Sequence, residues 1–402
     1  MTYVYGRATV WLISCVLVLS LGFNVFLWHR LNNEDTANTI IENSRLDDDP
    51  NLSSISGTIM PGQLDPNSNQ SAAQVIQSNS AMLGSNEPLS IDQLYNYLRD
   101  ENWPMLTVAV RTFLRQQPDN IEAQLIEAEL IARTEPLAIA LVHYYSLLDL
   151  GLDSEQRKTI TQKIDQLFEN ATEQLRFDRS WDLLAELLEP LVQIAPDERR
   201  YLILLAEAYA QQLNAVLMEN ALAGLDSDDP AIESIRNILA RKLDSDDDPD
   251  GNDIAQNDNF NNTQNDPAVT RIPLDRLGNQ YTVDTGIDGR PVRLMIDTGA
   301  STTAITARAW GRLSQRIASQ FIGIFKVNTA AGFIEAPMFK VKSFTLGSLS
   351  FDDVSIMVIP SRMMGDDPRS SPQGLLGMNI LSNYNFQIDQ QSAELLLSPR
   401  TQ

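Results

Sequence analysis

The residues best suited to chemistry are Asp297-Thr298-Gly299-Ala300-Ser301, delivered by the apolar run Leu294-Met295-Ile296 and followed by Thr302. A carboxylate at the end of a buried strand, beside a small hydroxyl and a glycine, can take a proton from water and make it a nucleophile. Other chemistries have few residues to draw on. The chain has one cysteine, Cys15, and two histidines, His29 and His143, far apart in sequence. That supply suits neither a closed structural zinc site nor a Cys–His nucleophile pair. A Ser–His–Asp arrangement would need His143, which lies in the apolar helical run 138–150 and reads as a packed or surface helix residue. Carboxylates are therefore the expected catalytic groups, with neither metal nor cofactor.

A second Asp-Thr-Gly acts as an internal control. Asp284-Thr285-Gly286 stands 13 residues earlier, lacks Ala-Ser after it, and runs into Ile287 and the turn Asp288-Gly289. Two catalytic lobes would each need a β-domain of roughly 100 residues, so these two aspartates cannot be a pair within one chain. Asp284 reads as a strand-end residue.

The elements that position Asp297 are short apolar runs broken by turn signals. Runs 281–285 and 291–296 flank Asp288-Gly289, a two-residue hairpin signal. A second hairpin is expected about Ala330-Ala331-Gly332, between 324–327 and 333–336. Longer strands, 337–346 and 354–359, flank Gly347-Ser348. After a loop at 360–372 come Gly374-Leu375-Leu376-Gly377-Met378 and strands at 384–388 and 395–397.

The remaining sequence divides by composition. At 402 residues the chain is long enough for two or three domains, and its net charge of −23 argues against nucleic acid and anionic lipid surfaces. One cysteine excludes an intrachain disulfide. Residues 8–28 carry no charge and have Trp11 and Trp28 near the ends, so 1–30 is expected to be a membrane anchor. Leu12-Ile13-Ser14-Cys15 resembles a lipobox but follows only about four apolar residues, and cleavage after Gly22 would leave an apolar remainder. An uncleaved signal-anchor fits better. The short leading tail, with Arg7 set against Arg30, favours the bulk of the chain lying outside the cytoplasm. Residues 31–88 read as a disordered stalk.

Residues 89–243 turn helical, with Ile91, Leu94, Tyr95 and Leu98 on one face, and Leu183, Leu184, Leu187 and Leu188 on another. Pro118, Pro196 and Pro230 each open a helix and each is followed ten residues on by an alanine, at Ala128, Ala206 and Ala240. Pro196 and Pro230 are 34 residues apart, so the region resembles a degenerate tetratricopeptide array, which implies docking of a protein partner. An ordinary helical bundle accounts for the same pattern. Residues 244–269 read as an acidic linker. Asp246, Asp248, Asp250 and Gly251 imitate a calcium loop, but Pro249 intrudes and Asn257 stands where a bidentate Glu belongs. Charge repulsion along this linker is expected to hold the last domain, 270–402, away from the helices.

That last domain carries a specific resemblance. The apolar strand into Asp-Thr-Gly-Ala-Ser, the hairpin, and Leu375-Leu376-Gly377 about 80 residues on are together similar to a retropepsin-type aspartic protease, of the bacterial membrane-associated kind. The resemblance covers about 275–398. It implies a C-terminal all-β domain with Asp297 as catalytic carboxylate and Thr298 bridging two active-site loops. It also implies that Gly299 admits a backbone amide to the carboxylate and that Ser301 bonds its outer oxygen, with Ala300 between them. Ala330, Ala331, Gly332 and Phe333 would form the flap, and Leu375, Leu376 and Gly377 would support the loop from behind. With one such Asp per chain, the implied enzyme is a homodimer in which two carboxylates share a proton and hydrolyse a peptide bond. Met378 replaces the retroviral Arg, no Tyr stands in the flap, and a terminal strand at 394–397 is expected to join the partner. The full expectation is a membrane-anchored aspartic endopeptidase, single-pass in the inner membrane, with its catalytic domain outside the cytoplasm. A retropepsin-fold protein that binds peptides without cutting them is the alternative.

Overall fold

A computed structural model describes residues 89–246, 269–329, 332–364 and 371–400. Its first half is helical: α1 (Ile91–Arg99), α2 (Trp103–Gln116), α3 (Ile121–Thr134), α4 (Leu137–Leu147), α5 (Ser154–Phe177), α6 (Trp181–Ile194), α7 (Arg199–Gln211), α8 (Ala215–Leu222) and α9 (Pro230–Asp246). Local chemistry sets the starts. Ser90 with Gln93, and Asp153 with Gln156, form reciprocal capping boxes, and Asn102, Asn120 and Asn214 each accept an amide of their own first turn. Helix α5 buries Ile160, Ile164, Phe168, Ala171 and Leu175 on one face, the spacing an amphipathic helix requires. Ala128 and Ala206 are buried between helices as their spacing suggests, whereas Ala240 faces outward on α9.

The second half is β-rich: β1 (Thr270–Pro273), β2 (Asp275–Leu277), β3 (Gln280–Ile287), β4 (Arg290–Ile296), β5 (Ala304–Thr306), β6 (Ser319–Thr329), β7 (Gly332–Leu346), β8 (Leu349–Ile359), β9 (Gly374–Leu376), β10 (Tyr384–Asp389) and β11 (Glu394–Pro399). Short helices α10 (Ala307–Leu313) and α11 (Met378–Leu381) interrupt them. The main sheet runs β2-β3-β4-β9-β5-β8-β7-β6, and a further pairing of β3 with β7 closes it on itself. The β3–β4 turn is Asp288-Gly289 with both residues at positive φ, 45° and 72°, the conformation a two-residue hairpin needs. Val283, Val292, Leu294, Ile305, Phe344, Ile356 and Leu376 fill the closed sheet. A smaller sheet, β1-β11-β10, places the final strand between two strands of its own chain. Both edges of β11 are thus filled, so the strand expected to join a partner at 394–397 has no free edge.

Three expectations are corrected. Residues 8–28 lie outside the described residues, and among the described residues no helix is long and apolar enough to cross a membrane. A crossing helix needs about 20 mainly apolar residues. The most apolar helix, α4, has 11, and the 24-residue α5 carries Arg157, Lys158, Lys163 and Asp165 among others. The N-terminal transmembrane helix, and the single-pass inner-membrane placement drawn from it, are therefore not supported. The acidic run 247–268 is also outside the described residues, but its supposed effect is overturned. Helices and barrel lie in one compact unit and share a core, in which Leu137, Leu141, Leu184 and Leu188 join Ile322, Phe325, Met338 and Met357. Burial of these apolar side chains outweighs repulsion between solvated charges, which salt screens. Finally, Asp284 sits inside β3, not at its end.

The contact between the layers is close. Helices α3, α4, α5 and α6 all reach β6. A Cβ at Gly323 would stand 3.1 Å from Leu137, and Pro136 bridges Ile324.

Candidate active site

Strand β4 ends at Ile296, and Asp297 opens the following loop half-buried, with Thr298 and Gly299 exposed. The loop is tied at both ends by backbone bonds. The Asp297 amide donates to the Leu376 carbonyl (3.1 Å), and the Ala300 amide donates to the Asp297 carbonyl (3.2 Å). The Gly299 amide donates to Asp297 Oδ1 at 2.9 Å, and a Cβ at Gly299 would lie only 3.2 Å from that oxygen. A backbone N–H bonded to a carboxylate oxygen fixes its orientation.

Strand β9 lies beneath, parallel to β4 through Met295–Leu375 and Ile296–Leu376 and antiparallel to β5 through Ala304–Leu375. Leu376 is fully buried in the barrel core. Glycine is required on either side of these leucines. A Cβ at Gly377 would come 2.5 Å from the Thr302 carbonyl carbon, and one at Gly374 would come 2.0 Å from the Ala304 carbonyl oxygen. The Met378 and Asn379 amides donate to the Ala300 and Ser301 carbonyls at 2.8 and 2.9 Å.

Several anchors here went unnoticed in sequence. Buried Asn379 accepts at Oδ1 from both the Thr303 amide (2.9 Å) and the Thr303 hydroxyl (2.8 Å), while its Nδ2 donates to the Ser355 carbonyl (3.1 Å). Thr303 Oγ1 in turn accepts the Gly377 amide at 3.1 Å. The signal that sequence offers for this anchor is a polar Asn379 within the apolar run Met378 to Leu381. The helical layer contributes more. Ser301 Oγ donates to Asp182 Oδ2 on α6 at 3.1 Å, so its recorded bond goes there and not to Asp297. Ser180 Oγ and Thr302 Oγ1 share a buried hydrogen bond of 2.9 Å. No spacing rule could relate residues 122 positions apart.

In the β6–β7 hairpin Thr329 pairs with Gly332, and Val327 and Ile334 pack against the core shared with the helices. Ala330 and Ala331 lie outside the described residues. Gly332 has φ 104°, and Phe333 is 67 % exposed with the Lys326 ammonium 4.7 Å over its ring. On α6, burial raises the Glu186 carboxyl to about 7, partly offset by Lys326 and reinforced by Asp182 and Glu189. The other Asp-Thr-Gly is differently placed: Arg293 donates to both oxygens of Asp284 at 2.8 and 3.2 Å and holds that carboxyl below the usual range. His143, on α4, has Nε2 buried without a hydrogen-bond partner, and burial lowers its basicity.

This arrangement presents one oriented carboxylate on a strand-end loop, backed by strand β9. Residues 283–380 match the aspartyl protease family model. That matched stretch holds the Asp297 loop and Leu375-Leu376-Gly377, so this part of the chain is similar to aspartyl proteases. Among solved structures, a retropepsin-like aspartic protease from Rickettsia conorii is 21 % identical, with 33 % of this chain and 90 % of that chain covered and a TM-score of 0.23. No curated protein matches.

Proposed function

We propose that this protein is an aspartic endopeptidase that hydrolyses peptide bonds in extended or unfolded protein, with Asp297 as its catalytic carboxylate. The observation that carries this reading is the Asp297 loop, whose carboxylate receives the Gly299 amide and whose backbone is pinned to β9. One carboxylate cannot serve as base and acid toward the same water. A second copy of the chain would supply the other. Two close carboxylates share one proton, so the ionised member takes a proton from water while the protonated member donates to the scissile carbonyl. Thr298, exposed beside Asp297, would meet its counterpart there. The hairpin at 329–333 would hold the peptide as an added strand and exclude water, with Phe333 as its apolar contact. Because both edges of β11 are occupied, the partner's strand would add at the outer edge of β1 or β10.

The test uses the full chain and an unfolded protein substrate. Cleavage is expected at mildly acid pH, blocked by pepstatin-like compounds, and lost in Asp297→Ala. Equal cleavage by Asp297→Ala and wild type would end the proposal. Sedimentation addresses the dyad separately, since a strict monomer with full activity contradicts a shared pair.

A further inference from the structure

Three local costs converge on the turn between α5 and α6. Arg179 adopts φ 56°, a left-handed conformation that costs a non-glycine residue about 1 kcal/mol or more. Ser180 stands at the N-cap of α6, where serine ordinarily accepts an amide of the first turn, yet it makes no such bond. The other capping-type residues at helix starts here, Ser90, Asn102, Asn120, Asp153, Asn214 and Thr306, all cap their own helices. Ser180 instead turns its hydroxyl to Thr302, five residues after Asp297, in a bond whose two side chains are 0 % and 5 % exposed. Asp178, 4 % exposed, is also buried; Gln174 donates to its carboxylate at 2.9 Å, and Asn379 and Ser355 stand beside it. Asp182, one helical step on, takes the Ser301 hydroxyl.

Local rules are given up where a structure has another use for the residue. Resting on the aspartic-protease reading above, we propose that the α5–α6 turn is a positioning element of the active site, with Ser180 as the positioning residue that sets the Asp297 loop through Thr302. Asp182 assists through Ser301, and Asp178 borders the Asn379–Thr303 anchor from the helical side. The helices then complete the catalytic loop from outside the barrel. A misplacement of about 1 Å at a reacting group can cost roughly a hundredfold in rate, so a buried tether of this kind acts on catalysis more than on substrate binding.

The experiment compares full-length Ser180→Ala, Thr302→Val and the double variant. Each single variant is expected to lower kcat about tenfold with KM unchanged and to speed hydrogen exchange of the 297–303 amides. The double variant should match the singles, because both remove the same bond. Arg133→Gln is the control for loosened packing between the layers, as its guanidinium sits 5.4 Å over the Phe321 ring of β6. Wild-type kcat and exchange in Ser180→Ala, additive effects in the double variant, or an equal loss in Arg133→Gln would each overturn the proposal. Activity retained by Asp297→Ala would instead remove the protease reading. If the wild type cleaves nothing, the exchange rates still decide whether Ser180 holds the loop.

Discussion

Asp297 and Asp284 share a tripeptide and differ in everything around it. Arg293 and the solvent satisfy Asp284 on an open sheet face, whereas Asp297 is held by the Gly299 amide, where a Cβ would be a tight 3.2 Å from the carboxylate oxygen. Apolar Leu294-Met295-Ile296 and the following Ala-Ser made that difference legible in sequence. The partners of Asn379 and Ser180 were not legible, because they are set by folding and not by spacing. Glu186 shows the same at the level of charge. Burial lifts its carboxyl to about 7, above its value in an unfolded chain, so the folded state binds the extra proton. Its stabilising contribution is complete below about pH 4.5 and is lost as pH rises through 7. Thermal stability is therefore expected to fall between about pH 5 and pH 8, and Glu186→Gln to flatten that slope in a calorimetric pH series. An unchanged slope would remove Glu186 as the source.

Among the elements, β9 does most to place the site. Its three residues bridge β4 and β5, and its flanking glycines admit backbone where any Cβ would collide. Gly377→Ala is expected to push the Thr302 backbone aside, cost about 1–3 kcal/mol or more in denaturant unfolding, and abolish cleavage. Asn379→Ala leaves the buried Thr303 amide and hydroxyl unmet and should cost about 1–3 kcal/mol. Full stability in both variants would mean the loop is held some other way. The strands and hairpins read from sequence all occur, because turn residues and short apolar runs are local signals. Their lengths exceed what the local signals give. Strand β7 runs unbroken from Gly332 to Leu346 through Pro337, since pairing with β6 and β8 carries it past a residue that alone suggests a break.

At the scale of the molecule, helices and barrel are parts of one core. Phe325 and Met338 from the barrel pack in the same cluster as Leu137, Leu141 and Leu184. Phe325→Ala is expected to cost about 3–5 kcal/mol. Because the core is shared, far-ultraviolet helix and strand signals should still be lost in one transition at the lower temperature. Two separate transitions would show the layers to be independent. Part of the surface that a tetratricopeptide-like array would offer a partner is thus spent on the chain's own barrel. What the amino-acid sequence determined by itself was local: which Asp-Thr-Gly follows an apolar strand into a loop, which hairpins form, and where helix gives way to strand. Those follow from neighbours a few residues apart. Only the tertiary structure decided that the acidic segment does not keep the layers apart and that Ser180 and Asp182 reach the Asp297 loop. Such contacts join residues more than a hundred positions apart, and they form because apolar faces on both layers are buried together.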